Sequence, residues 1–187
     1  MLKTTALIGF GLLLALAIRF TVQQFASFRA QSPKDYADTT PVFDVRRALN
    51  GPMDAEGVIY GPLGRVASRF TARITGSWDG GNGTLREEFK FATGREQIRN
   101  WSLRVGNDGK IIATAPDVIG QGTGEQSGSA VVLRYKLKLE KDAGGHVLDV
   151  VDWMYLLENG SIVNRSEMRK FGLKVAELVA TFRPVAN

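Results

Sequence analysis

From Asp54 onward hydrophobic and polar residues alternate with period two, and glycine-rich turns punctuate the alternation. That pattern predicts antiparallel sheet with one buried and one wet face. Between Arg65 and Trp78, the residues Val66, Phe70, Ala72, Ile74 and Trp78 share one face, while Arg65, Arg69, Thr71, Arg73 and Thr75 share the other. The same parity separates Leu85, Phe89 and Phe91 from Arg86, Glu88 and Lys90, and Val131, Leu133, Tyr135, Leu137 and Leu139 from Arg134, Lys136 and Lys138. Strands are expected near 54–60, 64–78, 84–92, 95–106, 110–116, 129–140, 146–158, 161–171 and 176–183. Turns are expected at Gly61-Pro62, Asp79 to Gly83, Thr93-Gly94, Asn107 to Gly109, Asp142 to Gly145 and Asn159-Gly160, where residues that tolerate positive φ cluster.

Short turns pair sequential strands antiparallel. The expected fold class is therefore all-β, an up-and-down antiparallel β-barrel, because closure removes exposed edges. A β-sandwich is the structural alternative. The segment Gly120 to Gly128 reads as a flexible hairpin loop or bulge; it lacks the lysine of a phosphate loop, and a strand follows it rather than a helix.

The amino end follows another pattern. Lys3 precedes a run that is apolar from Ala6 to Ile18, and the uncharged stretch Thr4–Ile18 is 15 residues long. A basic start and an apolar core mark an export signal, shorter than the roughly 20 residues of a comfortable membrane span. Cleavage after Ala15-Leu16-Ala17 and retention as an anchor are both open; if the segment is retained, Phe20, Val22, Phe25 and Phe28, with Arg19 and Arg29, extend its buried length. The organisation expected is a signal or membrane-anchor helix over 1–30, a polar linker over 31–42 and a barrel domain over 43–187. The expected location is the cell envelope, either anchored on the periplasmic side of the inner membrane or secreted to the periplasm.

Composition narrows the chemistry. A chain of 187 residues has room for one domain with a sizeable core. With no cysteine, disulfides, thiolate metal sites and a cysteine nucleophile are excluded, and with a single histidine, His146, so is a multi-histidine metal centre. No metal and no cofactor are expected. The net charge of +5 owes three basic residues to the first 30 positions, and no basic run interleaved with aromatics follows, so nucleic acid is not an expected partner.

Parity also singles out charges. Glu87 shares a face with Leu85, Phe89 and Phe91, and Arg99 shares one with Trp101, Leu103 and Val105, so both point inward and need a partner. Trp78, Trp101 and Trp153 lie on three strands, where they either fill the core or surround a cavity. In the hairpin Asp152 to Met168, a two-residue turn at Asn159-Gly160 would set Met154 opposite Arg165 and Asp152 opposite Glu167. That register offers a carboxylate pair of the kind hydrolases use, or simply a salt-bridged surface. The face on which Trp153 and Tyr155 lie is left open.

Phe43-x-x-Arg46-Arg47-x-Leu49-Asn50-Gly51, Gly57 to Gly64, Gly76 to Gly80, Val151-Asp152-Trp153-Met154-Tyr155 and Asn164-Arg165-x-x-Met168-x-Lys170-Phe171-Gly172 resemble a family of uncharacterised Gram-negative envelope proteins, often described as lipoproteins. The resemblance implies a lipocalin-like β-barrel and no assigned activity. The absence of any cysteine to acylate departs from the lipoprotein pattern. The leading expectation is a non-enzymatic envelope barrel that binds a small apolar or lipid-like ligand, with Trp78, Glu87, Arg99, Trp101, Asp152, Trp153, Tyr155, Arg165 and Glu167 as candidate contacts and the membrane met through the N-terminal segment. The alternatives are a hydrolase-like enzyme using Asp152 and Glu167, or an envelope assembly or structural factor.

Overall fold

The computed structural model describes residues 2–25, 27–141 and 143–185; Met1, Ala26, Asp142, Ala186 and Asn187 lie outside the described residues. The chain forms two compact units that divide after Ser32. The first holds helix α1 (Leu2–Phe25) and a 3₁₀ turn at Phe28–Ala30. Its leucine- and alanine-rich run favours helix. Among the described residues, no helix is long and apolar enough to cross a membrane.

The second unit contains a 3₁₀ turn at Pro33–Tyr36, a short helix α2 (Val45–Ala48) and ten strands: β1 (Gly51–Tyr60), β2 (Val66–Asp79), β3 (Asn82–Phe91), β4 (Glu96–Val105), β5 (Lys110–Thr114), β6 (Gly122–Ser127), β7 (Ala130–Lys138), β8 (Val147–Leu156), β9 (Ile162–Lys170) and β10 (Leu173–Pro184). Each strand pairs antiparallel with the next, and β1 pairs with both β2 and β10, which closes the sheet. The fold is an up-and-down antiparallel barrel, as the alternation implies, with lipocalin-like character as the resemblance implies, and a hydrophobic helix precedes it in the chain.

Inward residues build the core. Phe70, Ala72 and Ile74 from β2, Leu85 from β3, Trp101, Leu103 and Val105 from β4 and Val131, Leu133 and Tyr135 from β7 are all buried. One end of the barrel is plugged. Asp44 caps α2 by accepting the backbone N–H of Arg46 at 3.0 Å, and Phe43, Val45 and Leu49 drop into the barrel with almost no exposure. The Trp78 indole N–H donates to the Leu49 carbonyl at 3.1 Å, and the Val45 backbone N–H reaches the Gln126 side-chain carbonyl at 3.3 Å. The strand turns of this end are β2–β3, β4–β5, β6–β7 and β8–β9; the five others form the opposite end, the mouth.

Three expectations change. A tenth strand, β6, occupies the segment read as a flexible loop: Gly122 faces Ala113, and Gly124 faces Ile111 and Leu133, so two of its three inward positions carry no side chain and the third is the polar Gln126. Part of the polar stretch expected as a linker packs on the barrel, where the ring of Tyr36 lies 5.3 Å from that of Trp153 and the Ser129 N–H donates to the Thr39 hydroxyl at 2.9 Å. The β8–β9 hairpin is shifted by one residue. Leu157 and Ser161 close it and Gly160, at φ 77°, takes the left-handed position of a three-residue loop, so Asp152 faces Ser166 and Trp153 faces Arg165. Asp152 and Glu167 therefore stand on opposite faces, and the expected carboxylate pair does not form.

The plug depends on close approach at Gly76, where an added Cβ would lie 1.7 Å from the Leu49 carbonyl oxygen. Gly76→Ala must displace α2 or bend β2, and the expected cost is about 2–4 kcal/mol. Urea denaturation measures it; an unchanged midpoint would mean that the plug moves freely.

Candidate functional site

A cavity of about 110 Å³ lies inside the barrel above the plug. At about 30 Å³ per water that is room for roughly four waters or a small ligand fragment. Its walls are mostly apolar, with Phe70, Phe89, Leu133, Leu137, Met168 and Leu178 among them, but Glu87, Arg99, Tyr135, Asp152, Asn164 and Ser166 also line it. Strand parity delivers each of these polar groups. Glu87 on β3 pairs directly with Arg99 on β4, and Asp152 on β8 with Ser166 on β9.

Arg99 is the centre of the cluster. Its Nε donates to Asp117, in the β5–β6 turn, at 3.0 Å, and its guanidinium carbon sits 4.2 Å from the Trp101 ring centroid and 5.5 Å from that of Tyr135. Burial works against its charge, yet Tyr135, Glu87 and Asp117 together raise its pKa, so it stays a cation. The Trp101 and Tyr135 rings meet edge to face at 5.2 Å and hold the guanidinium between them.

The carboxyls are tuned the other way. Burial is the main cause that pushes Glu87 from 4.5 to about 7; Asp152 and Asp117 push in the same direction, while Arg99 and a hydrogen bond from Trp101 pull against them. Asp152 is also raised by burial, although it accepts the Ser166 hydroxyl at 2.7 Å and the Asn164 side-chain amide. Burial raises Tyr135, which remains a phenol able to donate. Two cavity-lining atoms are buried without a hydrogen-bond partner, Oε2 of Glu87 and Nη2 of Arg99. Leaving such an atom unpaired costs about 1–3 kcal/mol, and a bound polar group would recover it.

Of the residues singled out in the sequence, Glu87, Arg99, Trp101 and Asp152 line the cavity together. Trp78 lies against the plug, where its ring also fills the space beside Gly83. Trp153 and Tyr155 point outward, stacked at 6.1 Å and covered by Tyr36. Arg165 pairs with Glu177 at 2.7 Å and Glu167 with Arg169 at 2.6 Å, both on the outer face. Sequence reasoning missed Asn164, Ser166 and Asp117 as site residues and took Tyr135 only as part of an apolar run. The parity that revealed Glu87 would have revealed Asn164 and Ser166 once the hairpin register was right.

Residues 22–184 match the family model described as a protein of unknown function, DUF3833. The chain belongs to that family. A comparison with curated proteins finds no match. Among solved structures, the DUF3833 barrel is similar to an S-type phycobiliprotein lyase from Guillardia theta, with a TM-score of 0.55 and 7% identity over 84% of this chain and 99% of the other. At that identity the likeness speaks for the fold alone.

Because the folded barrel holds a proton on Glu87 up to about pH 7 and the unfolded chain loses it near 4.5, the folded state binds more protons in that window. Stability is therefore greatest below about 4.5 as far as this group is concerned, and falls as pH rises through about 7, by at most about 3 kcal/mol. Glu87→Gln should raise the urea midpoint near pH 8 and leave it nearly unchanged near pH 4. Equal shifts at both would show that the carboxyl is ionised throughout.

Proposed function

We propose that the barrel binds a small amphipathic molecule, with its polar group at Arg99, Glu87 and Asp152 and its apolar part directed along Phe70, Phe89 and Leu137 towards the mouth. The observation that carries this reading is the pair of unpartnered atoms, Arg99 Nη2 and Glu87 Oε2, at a cavity whose other walls are apolar. A fully apolar ligand would leave both atoms unsatisfied. A carboxylic acid or an amide both accepts and donates, and so answers the cation and the raised carboxyl at once. The fold likeness to a protein named a phycobiliprotein lyase supports a small-molecule ligand in general terms.

The same proposal puts the barrel in the cell envelope, beyond the cytoplasmic membrane. It is supported by the leader sequence, in which Lys3 is followed by the uncharged stretch Thr4–Ile18 and no acid occurs before Asp35. An alkaline phosphatase fused after Ser32 would be active if the leader exports it and inactive if it does not.

Binding is tested by native mass spectrometry of the gently extracted full chain. A non-covalent adduct is expected on the wild type and its loss on Arg99→Gln, with circular dichroism showing the same sheet content in both. An adduct that survives Arg99→Gln and Glu87→Gln at full occupancy, or a wild type that is empty and gains no stability from any small acid or amide, would overturn the proposal.

A further inference from the structure

Phe171 is in the wrong place for a folding role. It forms a two-residue turn with Gly172 between the paired residues Lys170 and Leu173, and both turn residues have positive φ, 52° and 77°. That is a type I′ hairpin, whose first position favours Asn, Asp or Gly because a bulky side chain is strained there. Strain of this kind is normally offset by packing, yet Phe171 is 90% exposed.

The neighbouring hairpin also carries an exposed apolar tip. Since β1 pairs with β10, the β1–β2 and β9–β10 turns are adjacent on the rim of the mouth. Leu63 at the β1–β2 turn is 87% exposed, and Val66 and Leu173 are exposed beside these tips. The segments that carry them are basic: residues 61–69 contain Arg65 and Arg69, residues 169–174 contain Arg169, Lys170 and Lys174, and neither contains an acid. The turns of the plugged end have the opposite character, with Asp108 and Glu158 and no basic residue.

We propose that these two hairpins dock the mouth of the barrel on an anionic lipid bilayer, with Phe171 and Leu63 entering the headgroup layer and the basic side chains meeting lipid phosphates. Apolar tips supply insertion and cations supply attraction, the combination by which a protein lies on a membrane without spanning it. Arg169 and Lys174 are held by Glu167 and Glu177, and Arg65, Arg69 and Lys170 are left to complement an anionic surface. The docking does not depend on what the cavity holds, so it stands or falls separately from the ligand.

The chain has no cysteine, so a single introduced one gives a unique label. Full-length Leu63→Cys, Phe171→Cys and, at the plugged end, Glu158→Cys are labelled with an environment-sensitive fluorophore and mixed with vesicles of phosphatidylethanolamine and phosphatidylglycerol, or of phosphatidylcholine alone. Blue shifts at 63 and 171 but not at 158, strong on the anionic vesicles and weak on the neutral ones, are expected. Comparison among labels separates docking by the mouth from any contribution of the N-terminal helix, which all three share. Arg65→Ser with Lys170→Ser should lower partition at the labelled mouth by about tenfold or more.

Phe171→Asn gives the sharper test, because it relieves the strain and removes the tip. The melting temperature should rise while insertion at position 63 weakens. A fall in melting temperature would show that Phe171 serves the fold and would overturn the proposal. So would unshifted labels at the mouth, a shift confined to 158, equal shifts on neutral vesicles, or shifts that appear without vesicles through self-association.

Discussion

The ladder between β1 and β10 governs the rest of this molecule. From Met53 opposite Pro184 to Tyr60 opposite Glu177, it joins the first strand to the last and leaves the sheet without an edge. Once closed, every strand has an inside and an outside, and parity alone decides which side chains lose water. Glu87, Arg99, Tyr135 and Asp152 are inward by that rule, and no rotation about the barrel wall returns them to solvent. Their burial is a consequence of closure, and the raised carboxyl pKa values follow from burial in turn.

The two ends of the cylinder solve different problems. At one, Phe43, Val45 and Leu49 supply the apolar bulk that the four short turns of that end cannot, and Gly76 lets the backbone of that segment lie directly on β2. At the other, Phe70, Phe89 and Phe91 form a cluster with ring centroids 5.3 to 6.1 Å apart. The polar groups lie between an aromatic mouth and a closed floor. A ligand entering such a space would pass apolar walls first and meet charge last.

Much of this was legible because one face of each strand is wet. Alternation in β2, β3 and β7 contrasts Arg, Thr, Glu and Lys with Phe, Ile and Leu, and it carries the strand and the side-chain direction together. The signal vanished in β6, whose inward positions are Gly122, Gly124 and Gln126. It misled in β8 and β9 for another reason: Trp153 is buried on the outside by Tyr36, so both faces of that hairpin read as core. With both faces apolar, the turn was the only guide to register, and Asn159-Gly160 serves a three-residue loop as readily as a two-residue one. A slip of one residue then exchanged Ser166 for Glu167 opposite Asp152, which turned a hydrogen-bonded carboxyl into an apparent catalytic pair.

That exchange matters for the chemistry the interior can recognise. Asp117 already occupies the Nε edge of Arg99, and Asp152 already accepts from Ser166 and Asn164. What is left over is one guanidinium nitrogen and one oxygen of a carboxyl poised near neutrality. A simple anion would satisfy the nitrogen but repel Glu87 and Asp152 in a medium where charges are poorly screened; a simple cation would be repelled by Arg99. A neutral group with a donor beside an acceptor meets neither penalty, and it can hydrogen-bond to Glu87 whether that carboxyl is protonated or ionised. A ligand bound as proposed would therefore be chosen by hydrogen-bonding pattern more than by charge, and the apolar walls would decide what that pattern is attached to.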